Sequence, residues 1–141
     1  MYKRILVPTD GSESSRRALI AALEFAKKFN SEVELFHVTP TSEAYYGYHM
    51  GFNNIISQDQ SNKNGELALE ITLKGIDIGG VHLSKKHVSG HAVSGILDEI
   101  RREFDLVVMG TTGHGALTGA IIGSVTQRVL PQSPCPVLIV K

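Results

Sequence analysis

Three short stretches of this chain are apolar at every position: Ile5-Leu6-Val7, Leu106-Val107-Val108-Met109 and Val137-Leu138-Ile139-Val140. A strand with one wet face alternates polar and apolar residues. A strand without alternation has to be covered on both faces, which is the condition of parallel strands with helices above and below. Between these runs lie segments with helical spacing. Leu19, Ala22, Leu23, Ala26 and Phe29 recur at intervals of three and four, as do Val93, Ile96, Leu97, Ile100 and Phe104. Strands alternating with helices predict βαβ units and an open, doubly wound sheet.

The pattern predicts strands over 3–8, 32–39, 81–88, 106–109 and 137–140. Helices are expected over 13–30, over 65–77 with a start as early as Asn54, through the Val93–Phe104 pattern, and over 124–130. Ser12 is placed to cap the first helix, with Ser15 three residues on. Leu67, Ala68 and Ile71 are expected to carry the second, and Gly79-Gly80 to end it. Residues 40–65 hold Tyr45, Tyr46, Tyr48 and Phe52 without an apolar period and read as a long loop: a lid, a partner patch or local packing. No repeat or linker divides the 141 residues, so one domain over 1–141 is expected. The fold class is α/β, with five mostly parallel strands and helices on both faces.

Composition narrows the function classes. Fourteen basic and fourteen acidic residues cancel, so the excess positive charge of a nucleic-acid footprint is missing. The single Cys135 has no partner for an internal disulfide, which suits a reducing compartment and a cytoplasmic location. It lies between Pro134 and Pro136, without a basic neighbour, and reads as structural. No apolar run has the length of a signal-peptide core or of a membrane span. The six histidines show no metal-ligand spacing on a predicted helix. Lys85-Lys86-His87 reads as a solvated strand end.

Five of the 14 glycines fall in the fifteen positions from Gly110 to Ser124. This segment leaves the end of an apolar strand and arrives at a helix start. Glycine backbone with its amides bare, followed by the unpaired N–H groups of a first helical turn, suits phosphate groups. Tight turns alone are the alternative. No Lys follows the closing glycine, which excludes the P-loop sequence, and the spacing misses the dinucleotide fingerprint. His114 sits within the segment, either near a terminal phosphate or simply in solvent. Asp10 after the first strand is either a ligand for a ribose hydroxyl or metal-bound water, or a turn residue before Gly11.

Gly110, Gly113, Gly123 and Ser124 together resemble the ATP-binding branch of the universal stress protein family, which spaces Gly, Gly, Gly and Ser or Thr in this way. Ile5 to Ser12, Asp105 to Gly110 and Pro134 to Val140 are similar to that family's other signature stretches. The resemblance implies a Rossmann-like, adenine nucleotide α-hydrolase-like fold that binds ATP, or ADP or AMP, with Mg or Mn held through the phosphates. It implies that Pro8, Thr9 and Asp10 line the adenosine side and that Val38 offers its backbone to adenine. Met109 would pack on the adenosine and Gly110 would contact the ribose. Gly113, Gly123, Ser124 and Val125 would hold phosphates through main-chain N–H groups, with Ser124 and Thr126 adding hydroxyls. It further implies a homodimer paired through the last strand, residues 136–140, and a stress-response regulator whose protein partner the sequence does not name. A weak ATPase or nucleotide phosphotransferase is one alternative, and a nucleotide-independent dimeric scaffold another. No Lys or Arg lies in the loop and Arg128 is the nearest, so binding without fast turnover is expected.

Overall fold

A computed structural model describes residues 1–41, 58–111 and 122–141. Its strands are β1 (Arg4–Pro8), β2 (Glu32–Pro40), β3 (His82–Gly90), β4 (Leu106–Gly110) and β5 (Val137–Val140). Its helices are α1 (Glu13–Phe29), α2 (Gln58–Leu73), α3 (Ala92–Ile100) and α4 (Ser124–Val129), the last continued by a 3-10 turn at Leu130–Gln132. The five strands lie in the order β3-β2-β1-β4-β5, and every pairing is parallel.

Two of the three apolar runs, in β1 and β4, occupy inner strands of this sheet, and the third forms its β5 edge. Ile5, Leu6 and Val7 are fully buried, as are Val107 and Val108. Alternate residues serve opposite faces. Ile5, Val7, Val33, Leu35, Leu106 and Val108 pack under α1 and α2, with Leu19, Leu23 and Leu69. Leu6, Phe36, Val107 and Met109 pack under α3 and α4, with Ile96, Leu97, Ile100 and Val129. Two covered faces explain why these strands do not alternate.

Helix α1 starts as its sequence requires. The Ser12 side chain accepts from the Ser15 N–H at 3.2 Å, and Asn30 ends the helix in the left-handed region at φ 53°.

Helix α2 departs from expectation in extent and in orientation. It starts at Gln58 and ends at Leu73, with Gly75 at φ 74° just beyond, well ahead of Gly79-Gly80. Leu67 and Ile71 are 54% and 43% exposed, while Ser61, Leu69 and Thr72 are buried. Gly65 lets the helix down onto the sheet: a Cβ there would lie 2.5 Å from His87 Nδ1.

Lys85-Lys86-His87 is not a solvated end either. β3 runs on to Gly90, His87 lies beneath α2, and Lys86 Nζ bonds the buried Glu99 carboxylate at 2.8 and 3.1 Å. Among the described residues no helix is long and apolar enough to cross a membrane.

Candidate functional site

The chain reverses its direction of travel across the sheet at β1. From β1 it steps outward to β2 and β3, then returns to place β4 on the other side. Such a reversal opens a crevice at the C-terminal strand ends. The register shows where it opens. β1 and β4 pair only at Ile5↔Leu106 and Leu6↔Val107, while β4 continues along β5 as far as Gly110↔Val140. On the other side β1 and β2 stay paired up to Pro8↔Phe36, and Thr9 N–H donates to Phe36 O at 2.8 Å. Val38 is two residues further along the same edge, so its β1-facing backbone lies past the end of the neighbouring strand. Pro8, Thr9, Val38, Met109 and Gly110 thus share one rim, and all are buried.

The turn that follows β1 is held tightly. The Asp10 carboxylate accepts from Ser12 N–H at 3.0 Å and from Ser15 Oγ at 2.9 Å. These bonds give Asp10 a part in holding the turn before Gly11, which has φ 83°. Thr9 Oγ1 lies 2.6 Å from Thr72 Oγ1 of α2 and accepts from Gly11 N–H at 3.0 Å. His37 Nδ1 lies 2.7 Å from Thr9 O. A carbonyl only accepts, so Nδ1 carries the hydrogen. Burial holds the imidazole below its ordinary pKa; the Thr9 carbonyl and the Asp10 charge oppose this, and His87 adds to it. Sequence reasoning assigned His37 and Thr72 no role. Their sole signal was a polar residue inside an apolar strand and on a helix face.

The far wall is built by β4 and α4. Gly110 fits against the first turn of α1, where an added Cβ would fall 2.7 Å from the Ser14 backbone. Thr126 Oγ1 donates to Gly110 O at 3.0 Å. Its hydrogen is therefore committed to joining α4 to β4, rather than offered to a phosphate. Gly123 caps α4 without a side chain and with φ −61°, and its N–H donates to Thr111 O at 2.5 Å. Among the described residues no side chain caps the amides of the first turn at Ser124 and Val125. Ser124 is exposed and Val125 half-buried. Gly113 and His114 lie outside the described residues. Among the described residues no group of three or more His, Cys, Asp or Glu side chains gathers to hold a metal ion. Cys135 stands apart from the rim. Burial pushes its thiol up, against a hydrogen bond with Ser133 and with the Asp105 charge, which disfavours the reactive thiolate.

Comparison with known proteins gives a consistent result. The profile of the Universal stress protein family matches residues 1–141. Universal stress protein MJ0531 of Methanocaldococcus jannaschii is 34% identical over 142 residues, covering 100% of this chain and 83% of its own. The solved structure of the hypothetical protein MJ0577 superposes with a TM-score of 0.79 at 31% identity, over 100% of this chain and 96% of that one. A universal stress protein from Archaeoglobus fulgidus, solved in complex with dAMP, superposes at 0.66 with 20% identity, over 99% and 98%.

Proposed function

Because this chain belongs to the universal stress protein family, we propose that the crevice between β1 and β4 binds an adenine nucleotide, ATP in the first place, and that occupancy regulates the protein's contacts with a partner. The observation that carries this reading is the early parting of β1 from β4 opposite the side-chain-free cap of α4. Adenosine enters over Pro8, Thr9 and Asp10, with adenine against the open backbone of Val38. Met109 and Gly110 form the floor. The phosphates lie toward Gly113, Gly123, Ser124 and Val125; the amides of Ser124 and Val125 open the first turn of α4 behind a cap that has no side chain, while that of Gly123 would exchange its bond to Thr111 O for the ligand. The Archaeoglobus fulgidus relative solved with dAMP supports an adenine ligand for this architecture.

Mg or Mn fits only as a passenger on the phosphates, given the donor set at the rim. Asp10, the one rim carboxylate among the described residues, accepts two hydrogen bonds within its own turn through Oδ1. Fast phosphoryl transfer needs a cation placed on the transferring group. Among the described residues α4 carries one basic side chain, Arg128, which lies in its last turn and is exposed. Binding therefore outweighs turnover in this reading, and slow hydrolysis is its alternative.

Titration calorimetry with ATP, ADP and AMP, with and without magnesium, tests the proposal. Gly123→Val puts methyls among the phosphate-facing amides, and Gly113→Val tests the same segment. Each is expected to weaken ATP by about tenfold or more, roughly 1.4 kcal/mol, in a folded protein. Unchanged binding in both variants removes this loop from the site.

A further inference from the structure

We propose that Thr72 and His37 are positioning residues for the nucleotide: from α2 and β2 they clamp the hydroxyl and the carbonyl of Thr9, and so set the adenosine-side wall. The inference rests on the nucleotide reading above and adds residues outside the rim to it.

The clamp follows from counting hydrogens. Thr72 is fully buried and donates its hydroxyl hydrogen to Ala68 O within α2 at 2.7 Å. Its oxygen can then only accept in the 2.6 Å contact with Thr9, so Thr9 is the donor there. The Thr9 oxygen in turn accepts from Gly11 N–H at 3.0 Å. One directed chain results: Gly11 N–H to Thr9 hydroxyl to Thr72 hydroxyl to Ala68 carbonyl. It runs from the turn after β1 into the body of α2 and leaves no hydroxyl hydrogen unplaced. His37 Nδ1–H holds the remaining Thr9 acceptor, the carbonyl, at 2.7 Å. Arg16 of α1 anchors the end of α2 where this chain arrives, with Nη1 donating to Ile71 O, Thr72 O and Lys74 O at 2.8 to 3.0 Å.

The chain also explains why α2 turns Ser61 and Thr72 inward and leaves Leu67 and Ile71 outside. The sheet beneath its buried face presents His37, Thr39 and His87, and a polar seam needs polar partners. Helix α2 therefore registers to the rim through hydrogen bonds with fixed direction, where an apolar contact would slide.

The experiment compares the wild type with Thr72→Val, Thr72→Ser and Leu69→Val. Thr72→Val keeps the shape and removes the acceptor, Thr72→Ser keeps the hydroxyl, and Leu69→Val perturbs the α2 core without touching the chain. Two quantities are read on each folded protein: ATP affinity by calorimetry and exchange of the Gly11 amide by NMR. Thr72→Val is expected to weaken ATP about tenfold and to speed Gly11 exchange. Thr72→Ser should restore both, and Leu69→Val should lower the melting temperature while leaving affinity unchanged. Should Thr72→Val not fold, Thr72→Cys keeps the volume with a weaker hydrogen-bonding group and takes its place. A Thr72→Val protein that binds ATP as the wild type does overturns the inference alone. A wild type that takes no nucleotide overturns the proposed function, and the inference with it.

Discussion

At Gly110 the missing side chain answers to α1 as much as to any ligand. The strand end and the first turn of that helix approach so closely that a Cβ would lie 2.7 Å from Ser14 carbonyl carbon and oxygen. Gly110→Ala is expected to destabilise the fold by about 1–3 kcal/mol, as overpacking does in close-packed interiors. Denaturant titration measures this, and an unchanged midpoint would show that the helix yields at no cost. Glu34 is the second residue with a constraint the sequence hid, because it sits in an alternating stretch and looks solvated. Its Oε1 is buried without a partner. Burial, then contact with the Glu99 carboxyl, raises its pKa to about 8, against the pull of Lys86 and Arg4. Burial alone would raise Glu99 too, but hydrogen bonds from Glu34 and Lys86, with the nearby Lys86 and Arg102 charges, hold it low. A proton on Glu34 supplies the donor that two facing carboxylates lack. The folded state keeps that proton up to about pH 8, while an unfolded glutamate releases it near 4.5. Stability from this group is therefore full in acid and falls as pH rises through that window. Glu34→Gln, which donates permanently, is expected to flatten the decline of melting temperature between about pH 4.5 and about pH 8; a parallel curve would contradict the shared proton.

At the scale of elements, the sequence was legible wherever apolar spacing and burial coincide. The runs in β1, β4 and β5, the cap at Ser12 and the stop at Asn30 are all readable, because each follows from a local rule. α2 was not, since its sequence offers two stripes. Leu67, Ala68 and Ile71 form the apolar one, and Ser61, Gly65, Leu69 and Thr72 form the one that is buried. The choice depends on what the sheet presents, and the His37–His87 pairing that decides it joins strands fifty residues apart. The Arg16 clamp on α2 is nonlocal in the same way. Arg16→Met keeps the aliphatic stem and removes the Nη1 group, whose two hydrogens are shared among three carbonyls. It should cost about 1.5–3 kcal/mol, the usual worth of charged hydrogen bonds, and should speed amide exchange in the last turn of α2. Equal protection there would mean that packing alone seats the helix.

For the whole molecule, the two sheet edges are unlike. β3 has nine residues and carries the exposed Lys85, a charge of the kind by which proteins guard an exposed edge. β5 has four residues, all apolar and all half-buried, and bears no such guard. The crevice was likewise legible as a rim of strand ends, yet the site's hydrogen bonds were not, because they connect residues tens of positions apart. We propose that two copies of the chain pair along β5, as its composition implies. Pro136 and Val140 bond toward β4, through Val107 N–H and Thr111 N–H, so in a parallel ladder the backbone of Ile139 faces outward. Ile139→Pro removes an outward N–H and leaves the ladder to β4 intact. Sedimentation velocity is expected to show a dimer for the wild type and a monomer for this variant. Two identical profiles would place the contact elsewhere.

Of the five strands, the first in sequence is the one at the centre of the sheet. β1 meets β2 early, but its other flank stays bare until β4 has been made. The Asp105 carboxylate that grips the Lys3 amide lies 102 positions down the chain. Long loops of this kind close slowly, and until they do the nascent chain presents Ile5, Leu6 and Val7 along one open side. The synthesis of β4 is therefore the step that covers this apolar segment, so a stalled or shortened chain lacking β4 is expected to be captured by chaperones or to aggregate.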